Sequence, residues 1–449
     1  MAKSNSVTPA RLTAFEVLRR VGEGAYASVL LASREHELSS SDKALCHELV
    51  MGVLRRQLWL DRLIEYYANR KVDGLDESIR LILRIGLYQL RFLSRVPASA
   101  AVNESVKLVH VARLRSAGSF VNAVLRRATR EPEIDPTSDI QDPLEHVSVA
   151  TSHPRWLIER WTTAFGSAEA EALAHANNEA APVAFRVVRS RAQEAQVCEI
   201  LRAAGAQLIP SKVAPGAWRI NGAGTLLAEL ITSGKVYVQD EASQLVAMQL
   251  DVRPGQRVLD LCAAPGSKTT QLADLSLDSA VIVAADLHEH RLRTLVSSAE
   301  VQGLRSIHCI ALDGLRPLPF AEGTFDRVLV DAPCSGTGTL RRNPEIRWRI
   351  SPADIDDLAE RQKQILFNAA CVVRPGGRLL YSTCSVEPDE NEQVVQTFLD
   401  NNETFRLVEL TANDVLKTSL GQARTWPQRQ GTDGFFIATF ERKVPLLSV

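Results

Sequence analysis

From about Asp251 to the C-terminus the sequence alternates between short apolar runs and amphipathic stretches of helical period. The runs Arg257–Cys262, Ala280–Ala285, Ser306–Ala311 and Asp326–Val330 are rich in Val, Leu and Ile. They predict parallel strands covered on both faces. Arg378–Ser382, Phe405–Leu410 and Phe435–Phe440 complete the set. Strict alternation of this kind points to a doubly wound α/β sheet, whose ligands sit at the C-terminal ends of the strands.

The residues at those strand ends are chemically distinctive. The first strand runs into Cys262-Ala263-Ala264-Pro265-Gly266-Ser267-Lys268, a turn of small residues that opens a helix and lets backbone approach a ligand. A single glycine is too few for the pyrophosphate cradle of a dinucleotide site, so a ligand without phosphates fits better. Asp286, Asp313 and Asp331 then close the next three strands. One such aspartate is ordinarily a cap or turn former. Three in succession suit S-adenosylmethionine, with Asp286 on the ribose hydroxyls and Asp313 on the adenine amine. Cys334 and Cys384 lie just past two strands, in Asp331-Ala332-Pro333-Cys334-Ser335 and Tyr381-Ser382-Thr383-Cys384-Ser385. A thiolate there can attack an electron-poor carbon. Pyrimidine C5 becomes nucleophilic enough to take a methyl group only after a thiolate adds at C6, and Asp331 can hold the base while charge develops. Cys46, Cys198, Cys309 and Cys371 carry the ordinary expectation for free cysteines, which is to be buried and inert.

Residues 1–130 read as successive helices, among them Lys43–Leu54, Leu60–Ala68, Glu77–Phe92, Ala100–Val111 and Ser119–Ala128. In Ile79–Leu93 the apolar positions make one stripe, which leaves Arg80, Arg84, Arg91 and Arg95 on a solvated or RNA-facing side. This segment holds 21 Lys+Arg against 12 Asp+Glu, whereas the rest holds 31 against 41. The chain as a whole carries −1, so the basic N-terminal third stands out as a contact for a phosphate-rich partner. Residues 131–146 contain three prolines and no sustained periodicity, which reads as a linker. Residues 147–238 mix helices with short strands, a small α+β domain, and 239–449 form the cofactor-binding domain. No apolar run nears the roughly 20 residues that span a bilayer. The first residues lack the apolar core of a secretory signal. Seven cysteines without a CxxC pair speak against a disulfide framework or zinc ribbon. Together these features predict a cytoplasmic protein with no metal, no membrane contact and no evident stable protein partner.

The strand-end motifs resemble those of the RNA cytosine-5 methyltransferases. Phe120-Val121-Asn122-Ala123-Val124-Leu125-Arg126 and Ala101-Val102-Asn103-Glu104 resemble the NusB-like RNA-binding domain. The combination is similar to enzymes acting on small-subunit (16S) ribosomal RNA. Val238–Ser243, Arg342–Glu345 and Asp433–Phe436 match as well, and Ser267 departs from the family's usual second glycine. The resemblance implies an all-α N-terminal domain and a Rossmann-like methyltransferase domain. It also implies S-adenosylmethionine held by residues 262–268 with Asp286, Asp313 and Asp331, a nucleophile at Cys384, and product release assisted by Cys334. Lys268 positions the cofactor or base by the same resemblance, although a lysine opening a helix is also commonly solvated. Two other readings compete. An amino-group N-methyltransferase requires an aromatic strand-end motif that Asp331–Cys334 lacks. A NusB-like binding factor with a vestigial α/β domain has no need of intact acids and both thiols.

Overall fold

The computed structural model describes residues 6–411 and 413–445. Its chain divides into two compact units, one of residues 1–179 with 340–349 and one of 180–339 with 350–449.

The described part of the first unit contains α1 (Pro9–Gly22), α2 (Ala27–Arg34), α3 (Ser40–Arg55), α4 (Gln57–Ala68), α5 (Glu77–Phe92), α6 (Ala98–Val111), α7 (Gly118–Arg130), α8 (Pro143–Thr151), α9 (Arg155–Phe165) and α10 (Ser167–Ala176). Local chemistry sets several starts. The Ser39 side chain accepts from Asp42 N, and that of Asp76 accepts from Ser78 N and Ile79 N. Each satisfies an amide that has no partner within the helix.

Helix α5 packs against α1, α3, α4, α6 and α7, so its middle, residues 81–89, is buried all round. The expectation of arginines on an open face is corrected for two residues. Arg84 is buried and donates to both carboxylate oxygens of Asp61, at 2.7 and 2.6 Å. Arg91 donates to Tyr67 Oη and Ala128 O. A guanidinium inside a bundle needs a partner for its donors, and these supply it. The stretch read as a linker ends in α8, which Asp142 caps ahead of Pro143. Helices α8–α10 belong to the first unit, whereas the sequence pattern groups 147–179 with the strands that follow. Residues 341–349 also pack within this unit: Glu345 Oε1 accepts from Ala27 N at 2.8 Å, and Trp348 Nε1 donates to Leu54 O at 3.1 Å. Arg347 is fully buried on Ser152 O and Asn178 Oδ1.

In the second unit β1 (Val183–Val187), α11 (Glu194–Ala203), β2 (Gln207–Pro210), β3 (Ala217–Asn221), α12 (Gly224–Thr232) and β4 (Val236–Val238) make an antiparallel sheet of order β2-β3-β1-β4. Phe185, Val197, Leu201, Ile220, Leu227 and Leu230 form its core. Then follow α13 (Glu241–Gln249), β5 (Arg257–Asp260), α14 (Ser267–Leu275), β6 (Val281–Asp286), α15 (Glu289–Gln302), β7 (Ile307–Ala311), β8 (Phe325–Asp331), α16 (Pro352–Cys371), β9 (Val373–Thr383), α17 (Glu392–Asn401), β10 (Phe405–Val408), β11 (Ala423–Thr425), α18 (Pro427–Gln430) and β12 (Phe435–Arg442). The large sheet has order β10-β12-β9-β8-β5-β6-β7, with β11 on β12. Strands β5 to β9 pair in parallel, and β12 enters antiparallel beside β9. This is a Rossmann-like, doubly wound topology. The strand order reverses around β5, which opens the crevice at the C-terminal ends of β5 and β8.

One strand departs from the buried pattern. At the sheet edge, β7 is exposed along most of its length, and Cys309 on it is exposed. Cys371, at the end of α16, is exposed too, which corrects the expectation for both cysteines. Cys46 and Cys198 are buried. No helix among the described residues is long and apolar enough to cross a membrane.

Candidate active site

The turn after β5 is built for close approach. Gly266 has φ +108°, and a Cβ there would lie 2.5 Å from Leu295 Cγ, so only glycine fits. Ala263 N donates to Ala285 O at 2.9 Å, and Ala264 N donates to Asp286 Oδ2 at 3.2 Å. Arg291 Nη2 donates to Ala264 O. Asp286, nearly buried, also accepts from His288 N at 3.0 Å, so this acid is wired into the turn before any ligand arrives. Asp313 lies on a more open edge; it accepts from Leu315 N and pairs with Arg316 at 3.4 Å.

Asp260, at the end of β5, escaped the sequence reading although it is a strand-end acid like the other three. It is buried, takes one hydrogen bond from Thr269 Oγ1 at 2.7 Å, and has its second carboxylate oxygen unpartnered. Burial, reinforced by the charges of Asp331 and Asp286, pushes its pKa up to about 7 against the pull of Thr269 and Lys268. Cys262, two residues on, is pushed well up by burial and then by the charges of Asp260, Asp331 and Asp286, so it stays a thiol.

Strands β8 and β9 run side by side with Asp331 opposite Ser382. This register carries the two thiols to one place: Cys334 Sγ lies 3.3 Å from Cys384 Sγ. Ser382 Oγ donates to Asp331 Oδ1 at 2.7 Å, and Lys268 Nζ donates to Oδ2 at 2.6 Å. Lys268 is buried and ion-paired, with its Nζ 5.1 Å from the centre of the Phe435 ring, so the solvated alternative does not hold. Burial alone would lower its pKa, but the charge and hydrogen bond of Asp331 outweigh burial and raise it. Cys334 is pushed well above the ordinary thiol value by its bond to Cys384, then by burial, then by the charges of Cys384 and Glu390. Gly338 and Gly434 close the site from the other side. A Cβ on Gly338 would lie 2.0 Å from Gly434 O and 2.8 Å from Cys384 O. The Asp433–Phe436 stretch thus packs directly against the thiol loop.

Further residues had no signal in the sequence. Gln362 on α16 donates to Pro333 O at 2.9 Å, and Thr383 Oγ1 pairs with Asn391 Oδ1. Gln362 reaches its partner across 29 residues of chain, whereas Asn391 lies eight residues past Thr383.

Comparison with known proteins agrees with this geometry. The family described as 16S rRNA methyltransferase RsmB/F matches residues 247–441, the NusB family matches 8–130, and the ferredoxin-like domain of the RsmF/B-like methyltransferases matches 153–226. A Synechocystis protein named "Probable ribosomal RNA small subunit methyltransferase B" is 37% identical over 446 residues, which are 96% of this chain and 99% of that one. The Pseudomonas putida ribosomal RNA small subunit methyltransferase B is 35% identical over 95% of this chain and 97% of its own length. Among solved structures, PH0851 is 28% identical with a TM-score of 0.84, covering 97% of this chain and 99% of that one. With relatives this similar from end to end, the chain belongs to the RsmB/F methyltransferase family, a NusB-family helical domain followed by a methyltransferase domain.

Proposed function

We propose that this protein transfers a methyl group from S-adenosylmethionine to C5 of a specific cytosine in 16S ribosomal RNA, in the cytoplasm, through a covalent bond between Cys384 and C6 of the base. The observation that carries the reading is the pair of thiols 3.3 Å apart at the ends of adjacent parallel strands, beside the Lys268–Asp331 pair. The residues fit the cofactor. Backbone and small side chains of 262–268 would cradle it, Asp286 would accept from the ribose hydroxyls, Asp313 from the adenine amine, and Asp331 would lie with the reacting end. The unpartnered oxygen of buried Asp260 supports a polar ligand at this point.

When bound, the cofactor supplies an electrophilic methyl group. The chain's own residues prepare the acceptor. Cys384, as thiolate, adds to C6 of cytosine while N3 takes a proton from solvent, and the electron pair of the C5–C6 double bond becomes available at C5. Asp331, held by Lys268 and Ser382, accepts the hydrogen bonds of N3–H and the amine and so stabilises the protonated base edge. After C5 is methylated its hydrogen leaves as a proton to solvent, the C5–H pair re-forms the C5–C6 double bond, the C6–S bond breaks with its pair returning to Cys384, and N3 gives back its proton. Cys334 is the adjacent group that assists this elimination. The names of the full-length relatives support ribosomal RNA as substrate, and the basic N-terminal third supplies charge for its phosphates. Incubation of purified protein with 16S RNA and labelled cofactor, followed by nucleoside mass spectrometry, tests the reading. It requires 5-methylcytidine, and label in N4-methylcytidine or in a purine rejects it.

A further inference from the structure

Glu390 lies outside every motif that the sequence singles out, yet it is fully buried behind the thiols. Its Oε1 accepts from Ser335 N at 2.8 Å and from Gln362 Nε2 at 2.9 Å. Its Oε2 accepts from the hydroxyls of Ser335 and Ser385, which are themselves 3.0 Å apart. Ser335 and Ser385 are the residues that directly follow Cys334 and Cys384. One carboxylate therefore ties together the two loops that carry the thiols. A buried carboxylate needs several donors, and these four meet that need.

We propose that Glu390 is a positioning residue for the two-thiol site: by joining Ser335 to Ser385 it fixes the Cys334–Cys384 separation and sets its carboxylate beside Cys334. This deepens, and rests on, the two-thiol reading given above. The Gly336 amide favours the thiolate of Cys334, and two charged groups oppose it. Cys384 and Glu390 both favour its protonated form, and Tyr381 donates to Gln362 Oε1 and Glu390 O and is itself pushed well up by burial and by Glu390. Asp331 lies three residues before Cys334, with its charge met by Lys268.

Two measurements on the full-length protein, neither involving RNA nor methyl transfer, separate this proposal from the cytosine chemistry. Dibromobimane, which bridges neighbouring thiols, should cross-link Cys334 to Cys384 in the natural protein, located by peptide mass spectrometry. The yield should fall several-fold in Glu390→Gln and in the Ser335→Ala/Ser385→Ala double variant. In a Cys384→Ser background, the pH midpoint for alkylation of Cys334 should drop by on the order of one unit when Glu390→Gln is added, because a nearby negative charge is lost. A residue that only filled space would leave that midpoint in place. Unchanged cross-linking together with an unchanged midpoint overturns the proposal. If Glu390→Gln does not fold, the serine double variant decides: lost cross-linking sustains the tie, and retained cross-linking removes it.

Discussion

Replacing Asp331 with asparagine removes the counter-charge of a buried lysine while preserving shape. Lys268 Nζ sits 2.6 Å from Asp331 Oδ2, and the two side chains are 9% and 26% exposed. Breaking a fully buried pair from one side costs about 3–5 kcal/mol. Water reaching the exposed quarter of Asp331 reduces this, and asparagine still offers an oxygen to Lys268, so about 2–3 kcal/mol is the expected loss for Asp331→Asn. Lys268→Met leaves the carboxylate with Ser382 and water and should cost about 1–2 kcal/mol. Because the ammonium and the carboxylate are costly mainly when left alone, the double variant should be less destabilised than the sum, by about 1.5 kcal/mol. Urea unfolding followed by circular dichroism, compared at matched slopes, gives all three values. A coupling energy below about 0.5 kcal/mol would mean that the pair is two independent solvated charges, and the electrostatic account of this site would fail.

Three other outcomes follow from individual residues. Asp286→Ala should weaken cofactor binding by about 1–3 kcal/mol, since ribose hydroxyls lose their acceptor, and titration calorimetry with unchanged affinity moves the ribose elsewhere. Asp260 has a folded pKa of about 7 against an ordinary value of 3.8, so the folded chain holds a proton that the unfolded chain has released across this window. Stability should fall as pH rises through it, and Asp260→Asn should abolish that slope, gaining on the order of a few kcal/mol at about pH 8 and nothing below about pH 4; parallel melting curves with pH for the two proteins would refute it. In the N-terminal unit Arg127 is bound to Glu131 and to the Tyr66 and Tyr67 carbonyls, whereas Arg126 and Arg130 on α7 are exposed. Arg126→Glu with Arg130→Glu should flatten the salt dependence of RNA binding by roughly 0.7 log units per lost contact, and an unchanged slope places the RNA contact off α7.

Much of the architecture was legible because the signals are local. Long periodic helices such as α5 and α7, and the buried strands β5, β6 and β8, announce themselves by spacing and by Val, Leu and Ile content. Short or exposed pieces do not: β11 has three residues, β2 ends in proline and is largely exposed, and α8 hides behind the prolines of the preceding segment. A hydrophobic run also cannot distinguish a central strand from an edge, which is why β7 differs from expectation. The cysteines and strand-end acids were visible as residue types. Their meeting depends on β8 pairing with β9, a fact of sheet order that chain order does not contain. Glu390 and Gln362 are invisible for the same reason, since Gln362 meets Pro333 across 29 residues and Glu390 joins nearby Ser385 to Ser335, 55 residues away.

The central claim is that Cys384 forms the bond to the base and Cys334 helps to break it. Cys334→Ala should therefore still attack, and then retain the RNA. The direct measurement is mass spectrometry of this variant after incubation with 16S RNA and S-adenosylmethionine, denaturation, and digestion of both polymers. The account predicts a cytidine carrying one added methyl group, attached to the peptide that contains Cys384, and its disappearance when Cys384 is also replaced. Methylated cytidine released without any adduct on Cys384, or an adduct mapped to another residue, would contradict it.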